Sequence, residues 1–282
     1  MTETFFPQDS VAPAVEYLRA RFPVGPTVGI ILGSGLGGVA ERAPTLASIP
    51  YADIPGFPVC SVEGHAGRLV VADRRGLCVA MLQGRAHRYE GLTLEAVTRP
   101  VAVLAGWGVK TLIVTCAAGS LDGAEAGSLM LIDDHLNVMG DNPLMGAGWR
   151  GLGASRFVEM AQAYDPALIE VAERAAGAAG LAIRRGVLAA VAGPTYETAA
   201  EAEMLRRLGA QAVSMSVVPE VIAARAFALR VMGLALITNR SGSVSDRRVG
   251  HHRVVAVAEG RVELVAALLD GVLSHLAEAP GS

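Results

Sequence analysis

Cysteine is scarce in this chain. Cys60, Cys78 and Cys116 are the whole complement, an odd number with no CxxC and no metal-ligand spacing. That pattern excludes a disulfide framework and fits free thiols in a reducing cytoplasm. HExxH and clustered carboxylates are also lacking, so neither a metal nor another cofactor is implied. Charge is sparse as well: 18% of residues are Asp, Glu, Lys or Arg, the net charge is −3, and no basic block occurs. Nucleic acid is therefore not an expected partner. No apolar run reaches membrane-spanning length, since Arg99 and Lys110 bracket the most hydrophobic stretch, so no membrane partner is expected. The opening MTETFFPQDS has neither a basic nor an apolar leader region, and a signal peptide is not expected. Repeats, linkers and composition breaks are missing too. The expectation is one domain over all 282 residues.

What is present is a 52% hydrophobic chain, enough for a large core. Periodicity predicts a helix over 9–22, with Val15 and Leu18 inward, and a buried strand over 27–32. A hairpin is expected over 68–73 and 77–82, and SIPYADIPGFP (48–58) reads as loop. Further helices are expected over 93–107 (kinked at Pro100), 166–179 (capped by Asp165), 198–208 and 218–229, with one long closing helix over 251–276. Further strands are expected over 111–116, 129–132, 187–192 and 231–238, and a Gly-rich loop over 141–156. Alternating helices and strands with a hairpin mixed in predict an α/β fold, a mixed central sheet with helices on both faces.

IILGSGLGGVAER (30–42) carries Gly33, Gly35 and Gly38 as G-x-G-x-x-G after an apolar run. Such glycines let backbone approach a phosphate. A dinucleotide site needs a following helix of several turns, and Pro44 and Pro50 leave room only for a stub. Two readings stay open here: a lone phosphate beside the Ser34 hydroxyl, or a glycine turn packed for strand–helix contact. GRAHRYEG (84–91) gathers Arg85, His87 and Tyr89, a set suited to an oxyanion or to a solvated turn. GHAG offers His65. In GPTYETAAEAE, Glu197 stands near a helix start, where the helix dipole alone favours a carboxylate. In SMSVVPE, Ser216 is positioned to cap a helix or bind an anion. Ser34, Arg85, Cys116 to Gly119, Tyr196-Glu197 and Asn239 all follow strands, where ligands bind in open α/β sheets.

The ordered series GSGLGG, GHAG, GRAHRYEG, TCAAGSL, DDHLN, DNPL, GPTYET, MSVVPEV and ITN resembles the trimeric purine nucleoside phosphorylase family over nearly the whole chain. Methylthioadenosine phosphorylases are relatives with an acid where Asn239 stands. The resemblance implies the nucleoside phosphorylase fold, a homotrimer, and phosphorolysis of 6-oxopurine nucleosides (inosine, guanosine) in purine salvage, with inorganic phosphate as co-substrate. It further implies phosphate held by Ser34, Arg85, His87, the Ala117 backbone and Ser216, with His65 beside it. Ribose would meet Tyr89, Met215 and His251, with Phe157 serving a neighbouring subunit's site. The base would meet Tyr196, Glu197 and Asn239, and His87, Glu197 and Asn239 would carry the chemistry. Two departures stand out. Cys116 replaces the family's usual Asn, and RSGSVSD after Asn239 is unusually polar, which extends the expected bases to xanthosine.

Overall fold

Val28–Leu32 is buried at every position and forms the inner strand β1, as its unbroken apolar run requires. In the computed structural model, which describes residues 11–42, 44–145, 157–242 and 250–278, β1 lies between two parallel neighbours. These are β4 (Leu77–Gln83) and β5 (Thr111–Ser120). The hairpin β3–β4 is antiparallel, with β3 at Arg68–Arg74. An edge strand, β2 (Thr45–Pro50), pairs antiparallel with β3. Its last three residues lie in the stretch read as loop from its prolines. An edge strand tolerates Pro because one side of its ladder faces away from any partner.

The other half of the sheet closes on itself. β5 pairs with β8 (Ala212–Ser214), β8 with β7 (Ile183–Ala190), β7 with β6 (Leu129–Asn137), β6 with β9 (Arg230–Arg240), and β9 back with β5. The mixed α/β sheet is thus as expected, but half of it is a five-stranded ring and not an open sheet. Strands β5 and β9 are longer than their apolar runs suggest. They continue through AAGS and TNR because they pair with each other along that length, with a register shift at Ala118/Gly119, and β5 alone joins the ring to β1. β6 likewise runs on through DDHLN.

Helices α1 (Ala12–Arg21), α2 (Leu94–Trp107) and α5 (Val218–Ala226) pack together, and α3 (Pro166–Ala178) packs on the C-terminal α7 (Val262–Glu278). α2 runs through Pro100 with Thr93 as its cap, and Asp165 caps α3. Helix α4 (Ala199–Arg207) has a reciprocal cap between Thr198 and Glu201. The predicted single closing helix is two: α6 (His251–Glu259) ends at Gly260, and α7 starts at Val262. Helix α1 starts at Ala12, and residues 9–10 of its predicted span lie outside the described residues, as does most of the predicted 141–156 loop.

Candidate active site

The glycine turn after β1 is packed for strand–helix contact, one of the two readings its sequence left open. Gly33 lies so near β5 that a Cβ would stand 2.9 Å from Cys116 Cα, and its N–H bonds Thr115 Oγ1 at 2.9 Å. Gly35 has φ +74°, and a Cβ there would meet Val255 O and Ala258 Cβ on α6 at 2.7 Å. The turn is thus pinned between β5 and α6, and only a short 3-10 turn, Gly37–Arg42, follows. Pinning the turn puts Ser34 into a cleft.

That cleft lies where β1, β4, β5, β8 and β9 end or bend. It is lined by Ser34, Arg85, His87, Tyr89, Ala117, Tyr196, Glu197, Met215, Ser216, Asn239 and His251, among others. The cleft opens to bulk solvent, and the space it encloses, open solvent included, is about 640 Å³. Eleven of the thirteen residues named from the sequence therefore share one cleft. His65 stands just behind, with Nε2 3.1 Å from Ser34 Oγ. Phe157 lies outside the cleft, 87% exposed.

Three rings form a row along one wall. His65 lies 5.2 Å from His87, which stacks on Tyr89 at 4.7 Å. Behind the row stands Glu90, a residue the sequence reading left without a role. Its carboxylate accepts from Ser61 N at 2.8 Å, Ser61 Oγ at 2.5 Å, His87 N at 2.6 Å and His87 Nδ1 at 3.2 Å. Burial pushes this carboxyl up, but the hydrogen bonds from His87 and Ser61 outweigh burial and hold it at about 2. An ionised Glu90 fixes the His87 proton on Nδ1 and turns Nε2 toward the remaining space. Burial lowers His87, opposed by its bond to Glu90. Burial, with His87, Arg85 and His251 nearby, lowers His65 to about 3. Both rings are thus neutral at neutral pH in the ligand-free chain.

Arg85 does not stand ready as a free two-pronged fork. Its Nη1 donates to Glu220 Oε1 at 3.0 Å, and its Nη2 donates to the Thr115 carbonyl and, at 3.4 Å, to that of Ile31. Ser216 does not cap α5, whose cap position is Val217 at φ +76° with no side-chain bond. Its Oγ lies 3.3 Å from Ser214 Oγ, and Ser214 Oγ in turn donates to the Ala117 carbonyl at 3.1 Å. Ser214 thereby ties together two segments that the sequence holds far apart. It also contacts the Cys116 thiol, which burial pushes up to about 11, so Cys116 is a neutral wall residue.

At the far end, Glu197 accepts from Ser241 Oγ. Capping of α4 falls to Thr198 and Glu201, so the helix start does not account for Glu197. Asn239 Oδ1 accepts from Thr238 Oγ1 at 3.0 Å, which leaves its amide N–H group as the donor. An acceptor and a donor thus stand together. His251 lines the cleft, and its Nε2 donates to the Glu63 carbonyl at 2.6 Å. The neighbouring His252 is not part of the lining. Of RSGSVSD, only Arg240 to Gly242 are among the described residues.

Residues 27–274 match the sequence profile of the Phosphorylase superfamily. The purine nucleoside phosphorylase 1 of Geobacillus stearothermophilus is 45% identical over 251 residues, covering 89% of this chain and 91% of that one. The chain belongs to the purine nucleoside phosphorylase family. Solved structures of the Schistosoma mansoni family member agree in fold. The complex with inosine superposes at TM-score 0.89 and 33% identity, covering 97% of this chain and 98% of that one. The complex with adenosine superposes at TM-score 0.90 and 33% identity, with the same coverage. Membership of the family makes sense of a cleft with polar groups at both ends and aromatic walls between them.

Proposed function

We propose that the protein catalyses phosphorolysis of 6-oxopurine nucleosides, inosine and guanosine with xanthosine included, to free base and (deoxy)ribose 1-phosphate. The observation that carries this reading is the shared cleft. An anion end built from Ser34, Arg85, His87, the Ala117 backbone and Ser216 faces a base end built from Tyr196, Glu197 and Asn239. Tyr89, Met215 and His251 line the space between, where a ribose fits.

Phosphate attacks the anomeric carbon as the bond from that carbon to the purine nitrogen breaks. Electrons of the breaking bond go to the purine, and the sugar is cationic in passing. Holding the phosphate against the sugar removes the entropy of bringing the two together. The Asn239 amide stabilises the charge gathering on the purine ring, and loss of such a donor typically costs ~2.7–4 kcal/mol of barrier. Glu197 accepts the N1–H of a 6-oxopurine. A 6-aminopurine has a lone pair there, and a site built for the missing donor discriminates by roughly 10⁴ or more. Phosphate supplies the nucleophile, so the proposed reaction requires no cofactor, and the role we propose for it is purine salvage in the cytoplasm. Phe157, exposed here, suits a homotrimer in which it reaches a neighbour's ribose site. No described helix is long and apolar enough to cross a membrane.

Purified protein with inosine, with and without phosphate, tests the reaction, with hypoxanthine release as the readout. Cleavage without phosphate means a hydrolase. No cleavage of inosine, guanosine or xanthosine rejects the reading. Because a family member has been crystallised with adenosine, turnover of adenosine and methylthioadenosine is the test of base preference. Faster turnover of either than of inosine makes the protein a 6-aminopurine phosphorylase.

A further inference from the structure

Glu220 is buried to 2% exposure on the first turn of α5, four residues after Ser216, yet it does not line the cleft. Its partner Arg85 is 5% exposed and does line it. Resting on the proposed phosphate site, we propose that Glu220 is a positioning residue that fixes the Arg85 guanidinium and sets the strength of its grip on phosphate. Two consequences of the geometry lead there. First, Arg85 is held from three elements at once: Glu220 on α5, Thr115 on β5 and Ile31 on β1. A fork tied in this way meets an anion only with the N–H groups that these bonds leave over, and its buried Nε has no partner among the described residues. Second, the carboxylate cancels the cation next to the anion site. A buried cation deprived of its partner is strongly destabilised, and an anion binding beside it then supplies the missing compensation.

Charge and reach therefore act in opposite directions, and two conservative variants separate them. Glu220→Gln keeps the acceptor at the same reach and removes the charge. Glu220→Asp keeps the charge and shortens the reach. With inosine saturating, Glu220→Gln should lower the phosphate KM about tenfold, because the Arg85 charge is no longer offset. Glu220→Asp should raise it about tenfold, because the guanidinium loses its tether. The inosine KM should stay within about twofold in both, since the base end is untouched. Melting temperature against inorganic phosphate gives an independent reading, with a larger phosphate-induced rise for Glu220→Gln than for the unaltered chain. Phosphate KM values that move in the same direction, or not at all, overturn the proposal. So does a Glu220→Gln protein that fails to fold at any phosphate concentration, which assigns the carboxylate to the fold alone. Failure of the unaltered chain to turn over inosine counts against the proposed function instead, and the melting experiment then still decides the part of Glu220.

Discussion

Replacing Glu90 by Gln tests how the anion end is charged. Glu90 accepts four hydrogen bonds, and His87 supplies two of them, one through its backbone N–H and one through Nδ1. Its carboxylate holds the His87 proton on Nδ1. A neutral His87 then presents only a lone pair at Nε2, which repels a phosphate oxygen. To donate to a phosphate oxygen through Nε2, His87 must take up a second proton, and Glu90 stabilises the imidazolium that results. A hydrogen bond to a charged group is worth about 1.5–3 kcal/mol, so Glu90→Gln should raise the phosphate KM by roughly ten- to a hundredfold. The inosine KM should change little. The sign of the pH effect follows from the same step. Removing Glu90 lowers the His87 pKa further, so activity falls off with rising pH at a lower pH in the variant. Stability gives a second check. The Glu90 pKa is depressed from 4.5 to about 2, so its contribution is present in full above the unfolded value and is lost as pH falls through the folded one. Unaltered protein should therefore lose melting temperature between about pH 4.5 and pH 2 more steeply than the variant. Initial rates against phosphate at several pH values, with thermal melts, provide the data. An unchanged phosphate KM together with superimposable pH profiles would refute the reasoning.

Asn239→Ala should lower kcat on inosine by about 10²–10³, because one donor to the departing base is gone. Steady-state kinetics with phosphate saturating checks this, and a loss confined to KM would move Asn239 out of the chemistry. Gly84→Ala should raise the phosphate KM. Gly84 has φ +105°, and a Cβ there would lie 2.5 Å from His65 Cβ, forcing His65 away from Ser34. A crystal structure of the variant with both side chains unmoved counts against that. Asp270→Asn should destabilise by about 3 kcal/mol in urea unfolding, since it leaves Arg74 buried without its ion partner. Arg74 is 4% exposed and donates to Asp270 Oδ1 at 2.5 Å, joining β3 to α7. The phosphate KM should hold, because neither residue lines the cleft.

The sequence on its own determined the elements with strong local signals. The apolar runs of β1, β5 and β9, the Asp165 cap of α3 and the hairpin β3–β4 were all legible, because burial and capping act through neighbours along the chain. The motif series was legible too, and it named eleven of the residues that share the cleft. Tertiary structure alone decided the rest. The ring closed by β5 and β9 depends on pairing between strands more than a hundred residues apart, and nothing in either run announces it. β2 was hidden because prolines suppress a strand signal that edge pairing restores. Glu90, Ser214 and Glu220 passed without roles for the same reason. Each acts through one hydrogen bond or a few to a side chain or carbonyl brought near by folding, as with Glu220 and Arg85, 135 positions apart. A carboxylate reads as a solvated charge until the fold excludes water from around it, and only then does its partner determine what it does.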